Sequence, residues 1–281
     1  MGAGTIRAGV GGWVFEPWRG AFYPQGLKQA GELAYASRHV TTIEINSTYY
    51  STQSPASFAK WAAATPEGFK FAVKASRFCT NRKALGEAGE SVGKFLGQGL
   101  SELGERLGPI LWQFMATKKF DAGEFDAFLA LLPARQDGVA LRHVLEVRHA
   151  SFANPAFVAL CRKHGAAICV SEHETYPLIA DVTADIVYAR LMKGSDEIET
   201  GYPPGDLDRW ASRLAAYARG GVPADLGCVD ATPPPKVPRD VYAYVIHEGK
   251  VRAPAAAMAL IARFGGVDAD RPQATERPLN H

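Results

Sequence analysis

An alternation along the chain limits what it can fold into. Short β-branched, apolar runs recur, and most are followed by a stretch with helical spacing. Eight such runs can be read, at 6–10, 41–45, 69–74, 110–114, 143–147, 167–170, 186–190 and 241–246. Helical patterns occupy 27–38, 55–64, 87–107, 120–132, a segment opening at Pro155, 207–218 and 254–264. The gap after the sixth run is short and has room only for a turn or a stub of helix. Strands alternating with helices pair in parallel through right-handed crossovers, and eight of them close on themselves. The expectation is an α/β fold, a (β/α)8 TIM-type barrel of eight parallel strands with one degenerate βα unit after the sixth strand. The competing doubly wound open sheet would more often open its first helix with a glycine-rich phosphate turn. Here Gly9-Val10-Gly11-Gly12 runs into Trp13 instead.

The 281 residues suit one such barrel, which takes about 250. We expect a single domain over 1–266 and a polar, proline-containing tail over 267–281 with little order. The irregular segment 220–240, with Pro233-Pro234-Pro235, is read as a loop before the last strand, surface-exposed or functional. With 47% hydrophobic and 21% charged residues, the chain has the composition of an ordinary soluble protein. A formal net charge of +2 is too weak a basic bias to argue for nucleic acid as the main partner. The four cysteines form no C-x-x-C pair and read as reduced thiols. Residues 1–12 lack the apolar core of a signal peptide and no apolar run is long enough to span a membrane, so a cytoplasmic protein is expected. Oligomeric state is left open.

In a parallel barrel the functional groups stand at the C-terminal strand ends. The stretch Val40-Thr41-Thr42-Ile43-Glu44-Ile45-Asn46-Ser47-Thr48-Tyr49-Tyr50 places Thr42, Glu44 and Asn46 on one face of the second strand. A carboxylate at the end of a buried strand is costly unless something uses it. Period-two spacing likewise puts Glu146 and Arg148 on one face of the fifth strand. Lys74, Gln113, His149, Glu172, His173, Arg190, Lys193, His247 and Glu248 follow at the other strand ends.

From these we take Glu44 and Glu146 as the catalytic acid and base and Lys74 as a catalytic candidate, a possible nucleophile. Asn46, Tyr49, Gln113, Arg148, His149, Arg190 and His247 are candidates for substrate binding. Two plainer readings stand beside these: Glu146 and Arg148 as a buried pair closing the barrel, and Lys74 as an ion-pair partner of Glu44. No cofactor is expected. The three histidines with Glu44, Glu146 and Glu172 are the set from which a divalent-cation site could be drawn, but no H-E-x-x-H spacing accompanies them. Segment 12–24 is strongly aromatic, with Trp13, Phe15, Trp18, Phe22 and Tyr23. It could wall the site, with Trp13 and Trp18 against the substrate, or bury its own rings as a satellite core.

These motifs together resemble the YecE-like proteins, the domain-of-unknown-function family seventy-two. The resemblance rests on Gly11-Gly12-Trp13, Pro17-Trp18-Arg19-Gly20 and Phe22-Tyr23-Pro24, on Thr42-Ile43-Glu44-Ile45-Asn46-Ser47-Thr48-Tyr49-Tyr50, and on Trp61 with Thr65-Pro66-Glu67-Gly68-Phe69-Lys70-Phe71-Ala72-Val73-Lys74. It continues through Leu107-Gly108-Pro109-Ile110-Leu111-Trp112-Gln113-Phe114, Glu146-Val147-Arg148-His149-Ala150-Ser151-Phe152 and Tyr188-Ala189-Arg190-Leu191. It implies a TIM-type barrel and no activity. The chain departs from the family pattern at Asn81, Met115-Ala116, Glu172 and His247, and in a longer 220–240 loop.

The leading functional expectation is an enzyme acting on a small anionic substrate, phosphorylated or carboxylated, by acid–base chemistry at the barrel mouth. The alternatives are a metal-dependent phosphodiester hydrolase acting on nucleic acid, by fold analogy only, and a non-catalytic module binding a ligand or partner. On the leading reading, alanine at Glu146 or Arg148 is expected to abolish turnover and to leave the thermal midpoint within a few degrees.

Overall fold

A computed structural model of the protein describes residues 2–264; the tail expected over 267–281 lies outside the described residues. Eight strands form the barrel: β1 Ile6–Gly11, β2 Thr42–Ile45, β3 Lys70–Lys74, β4 Leu107–Gln113, β5 His143–Glu146, β6 Ala167–Glu172, β7 Ile186–Lys193 and β8 Asp240–Glu248. Each pairs in parallel with its neighbours in sequence, and β8 returns to β1 to close the sheet. Among the described residues seven helices of eight or more residues surround it: α1 Gln29–His39, α2 Pro55–Ala64, α3 Gly89–Leu96, α4 Ala122–Leu129, α5 Pro155–His164, α6 Pro204–Ala218 and α7 Ala253–Phe264. Among the described residues no helix lies between β6 and β7, where the short sixth gap left room only for a turn or a stub of helix.

Local chemistry sets several boundaries. Ser54 caps α2, its hydroxyl accepting from the Ser57 amide at 3.2 Å, and Pro55 fills the first turn. Asn154 and Pro155 do the same for α5, which ends at Gly165 in the left-handed region with Arg162, Lys163 and His164 in its last turn. The long helix read over 87–107 is two pieces. α3 stops at Leu96, and a 3-10 segment Leu100–Arg106 follows Gly99, whose φ is 103°. A Cβ at Gly99 would lie 2.8 Å from Pro55, so the break is where two elements come closest. A small hairpin, Arg135–Gln136 with Val139–Ala140, precedes β5 and was not expected. Its turn, Asp137-Gly138, has positive φ at both positions, the primed turn that Asp-Gly favours.

Alternation along the strands divides the core in two. Outward residues such as Ile43, Ile45, Phe71, Val73 and Trp112 pack against the helices. Inward residues, among them Ala72, Leu111, Val144, Cys169, Tyr188 and Tyr244, fill the barrel. Thr42 and Tyr244 share a hydrogen bond of 2.7 Å inside it, and the rings of Tyr188 and Tyr244 lie 4.8 Å apart. This layer forms a floor beneath the C-terminal mouth. The 220–240 loop is tied down: Asp181 accepts from the amides of Val229 and Asp230 at 2.7 and 2.9 Å. All four cysteines are free thiols. Among the described residues no helix is long and apolar enough to cross a membrane.

A buried histidine on the outer side of the barrel links fold to pH. The Trp112 indole donates to His143 Nδ1 at 3.1 Å, and His143 Nε2 lies 2.9 Å from the Pro133 carbonyl, which requires the neutral Nε2–H tautomer. Burial pushes this imidazole below its ordinary value of 6.5. The unfolded chain therefore takes up a proton there before the folded one does, and stability falls as pH drops below about 6.5. Chemical denaturation at pH 7 and pH 5 should show a smaller loss in His143→Gln than in the native protein. Equal losses would remove His143 as a cause.

Candidate active site at the barrel mouth

The inward face of four strand ends carries ionisable or amide groups that meet inside the barrel. Arg190 of β7 is the hub. Its Nη2 donates to Glu44 Oε1 of β2 at 2.9 Å, and its Nη1 donates to Glu146 Oε2 of β5 and lies 3.4 Å from Gln113 Oε1. Arg148 closes the other side of Glu146, with Nε at 2.8 Å and Nη2 at 2.7 Å from Oε1. Arg148 Nη2 also donates to Gln113 Oε1 at 2.8 Å. The second oxygen of Glu44 accepts from the Tyr188 hydroxyl at 2.6 Å. Glu44 and Glu146 are fully buried and Arg190 nearly so. Ions removed from water to this degree persist only when their lone pairs and protons are met, as they are for both carboxylates here.

The electrostatics follow from this pairing. Burial opposes charge on Glu146, but Arg190, Arg148 and Lys74 outweigh it and hold the carboxyl below the usual carboxylate range. Burial likewise opposes charge on Arg190, and Glu146 and Glu44 keep it above its ordinary value. Tyr188 is pushed well up by burial and by Glu44, so it stays a phenol that donates. Lys74 behaves differently. Burial first, then Arg190, press its ammonium down to about 8 against the pull of Glu44 and Glu146. Its Nζ stands 4.3 Å from the centre of the Tyr49 ring, and among the described residues it forms no ion pair. Glu44, the partner considered for it from sequence, is taken by Arg190 and Tyr188.

The other expected residues divide by position. Tyr49 stands beside Lys74, and its hydroxyl accepts from Asn81 Nδ2 at 3.3 Å. Half-buried Asn46 turns its Nδ2 back to the Glu44 carbonyl at 3.4 Å. His149 caps the 3-10 turn Ala150–Phe152, its Nδ1 3.1 Å from the Ser151 amide and 2.9 Å from the Ser151 hydroxyl. His247 lies on β8, and its side chain is outside the described residues. Glu172 points away from the mouth and accepts from the Tyr202 hydroxyl at 2.8 Å and the Trp210 indole at 2.7 Å.

The aromatic segment buries its own rings. Trp13 packs on Trp61 at 5.2 Å and Phe71 at 6.2 Å, both on the helix side of the barrel. Trp18 is enclosed by Phe15, Phe22 and Tyr23, and its indole donates to the Lys250 carbonyl at 2.8 Å. The structure therefore does not bring Trp13 and Trp18 together with the glutamate–arginine cluster. Two residues of the site were not anticipated. Tyr188 shares the face of Arg190 by period two, so its place was readable. Tyr176, on the irregular loop after β6, carries Arg148 over its ring at 4.8 Å and is stacked on His173 at 3.6 Å, and no local pattern announces it. Among the described residues no group of three or more His, Cys, Asp or Glu side chains is placed to share a metal ion.

Fold and site define a parallel β/α barrel whose C-terminal mouth is plugged by a buried carboxylate–guanidinium cluster. Residues 7–278 match the family described as "Protein of unknown function DUF72", and the chain belongs to that family, as its motifs suggested. A DUF72 family protein from Thermotoga maritima is similar in structure, with 22% identity, a TM-score of 0.68, and coverage of 92% of this chain and 97% of the other. One from Enterococcus faecalis matches with 14% identity and a TM-score of 0.68 over 94% and 99% of the two chains. At these identities the likeness speaks for the fold. No curated protein matches the chain.

The pairing changes what substitution at Glu146 should do. Alanine there leaves Arg190 with one carboxylate and Arg148 with none, so it should cost about 3–5 kcal/mol and lower the thermal midpoint by roughly ten degrees. Arg148→Ala, at a partly exposed position, should cost clearly less. Thermal unfolding of the two variants tests this, and midpoints within a few degrees of native for both would show that the cluster is not holding the barrel together.

Proposed function

We propose that the protein is an enzyme acting on a small anionic substrate, phosphorylated or carboxylated, by acid–base chemistry at the mouth of the barrel. One observation carries the reading: three cationic side chains, Arg190, Arg148 and Lys74, face two carboxylates, Glu44 and Glu146, and Lys74 forms no ion pair among the described residues. An excess positive charge in a largely enclosed site attracts an anion more strongly than the same charge in water. Arg148 is the more exposed guanidinium, and its Nη1, which neither Glu146 nor Gln113 engages, is the donor it keeps for a carboxylate or phosphate.

Roles within the site follow from how firmly each group is held. Glu146, kept charged by two guanidiniums, is a poor proton carrier near neutrality, and with Glu44 it serves to fix Arg190 and Arg148. Lys74, titrating near 8, is the group matched to proton transfer in neutral solution.

The ammonium of Lys74 is present below pH 8 and lost above it. Calorimetric titration with sulfate and with acetate, which neither change charge in this range nor form an imine, should therefore show affinity falling about tenfold between pH 7 and pH 9. Lys74→Met should bind weakly at both. A native protein whose affinity is the same at the two pH values, matched by Lys74→Met, would remove Lys74 from the reading. A substrate screen over phosphorylated and carboxylated metabolites then separates an enzyme from a binding module: turnover that disappears in Lys74→Met is expected, and binding without any conversion favours the module.

A further inference from the structure

The surroundings of Lys74 suit a chemistry that anion binding alone does not need. Resting on the reading above, we propose that the substrate carries a carbonyl group beside its anionic group, as a 2-oxo acid does, and that the Lys74 amine forms an imine with it.

The argument starts from what neighbouring groups leave free. Lysines at such a mouth are usually neutralised by a carboxylate. Here both carboxylates within the cluster are occupied, Glu44 by Arg190 and Tyr188 and Glu146 by Arg190 and Arg148. Lys74 is nine-tenths buried and feels the positive charge of Arg190 and Arg148, the two conditions under which a lysine gives up its proton and becomes a nucleophile near neutral pH. Its position is also set. Nζ stands over the face of Tyr49, whose hydroxyl is held by Asn81, and the Thr48 hydroxyl donates to the Lys74 carbonyl at 2.7 Å. Lys70, on the same strand and also inward, provides the contrast. It lies at the opposite end of the barrel, and its ammonium is spent on the Glu105 carbonyl.

Arg148 supplies the second element: its Nη1, left over by Glu146 and Gln113, is the donor at the rim for the substrate's carboxylate. The nitrogen lone pair attacks that carbon, the carbonyl π pair moves to oxygen, and a proton from nitrogen neutralises the resulting alkoxide. Loss of the hydroxyl with the remaining nitrogen proton, as water, leaves the C=N bond. Lysine amine and carbonyl become imine and water, and no oxidant or reductant is consumed.

The full-length protein treated with pyruvate and sodium cyanoborohydride at pH 8 should acquire one carboxyethyl adduct, found by peptide mapping at Lys74 and absent from Lys74→Arg. Labelling of the native protein should slow as pH falls from 8 to 6, and inorganic phosphate should compete with it. These two readouts need no variant. Adducts spread over exposed lysines with Lys74 unmodified, in a protein that still binds pyruvate by calorimetry, would overturn the imine and leave the anion site standing. Loss of both labelling and binding would overturn the anion site itself.

Discussion

The architecture of the mouth depends on one guanidinium placed between two carboxylates. Arg190 reaches from β7 to Glu44 on β2 and to Glu146 on β5, so strands far apart around the barrel are joined through its interior. None of the three could be buried alone, because an isolated ion pays a desolvation cost of several kcal/mol. Together they meet both carboxylates and the two terminal nitrogens of Arg190, with Gln113 and Tyr188 adding an acceptor and a donor, while Arg190 Nε is left without a hydrogen-bond partner. The tyrosine layer below, Tyr188 with Tyr244 and Thr42, separates this polar group from the apolar barrel interior.

Outside the sheet, aromatic packing holds the loops that carry these residues. Phe114, at the end of β4, meets Phe125 of α4 at 4.9 Å, and Phe125 meets Phe152 at 5.0 Å. Phe152 then meets Phe157 of α5 at 4.9 Å. The chain of rings spans the loops that follow β4 and β5, the strands of Gln113 and Glu146. On the other side, segment 12–24 packs Trp13, Trp18, Phe22 and Tyr23 beside β1 and α1. Its aromatic content supports the frame around the site, and that rigidity lets the buried ions keep their hydrogen-bond geometry.

Much of the site was readable from period two alone. Glu44, Lys74, Gln113, Glu146 and Arg190 fall on inward faces because their strand neighbours two residues away do. The same rule, applied fully, places Tyr188 inside with Arg190. It also places Glu172 outside with Ile168 and Val170, where it meets α6 instead of the mouth. The Asp137-Gly138 pair also carries a hairpin signal, one that went unread. Tyr176 was not, because the loop after β6 has no repeating pattern from which a side chain's direction can be read.

The sequence by itself determined the alternation of strands and helices, the closed barrel this implies, the degenerate sixth unit and the inward placement of the charged strand ends. These are consequences of short-range periodicity, which depends on residues a few positions apart. Only the tertiary structure decided which ion meets which. Residues 44, 146 and 190 come within hydrogen-bonding distance because the sheet closes, and closure sets the stagger of strands that are distant in the chain. That stagger gives both glutamates to arginines and leaves Lys74 facing Tyr49, and it turns Trp13 and Trp18 into packing. The pairing of charges at the mouth is therefore a property of barrel closure.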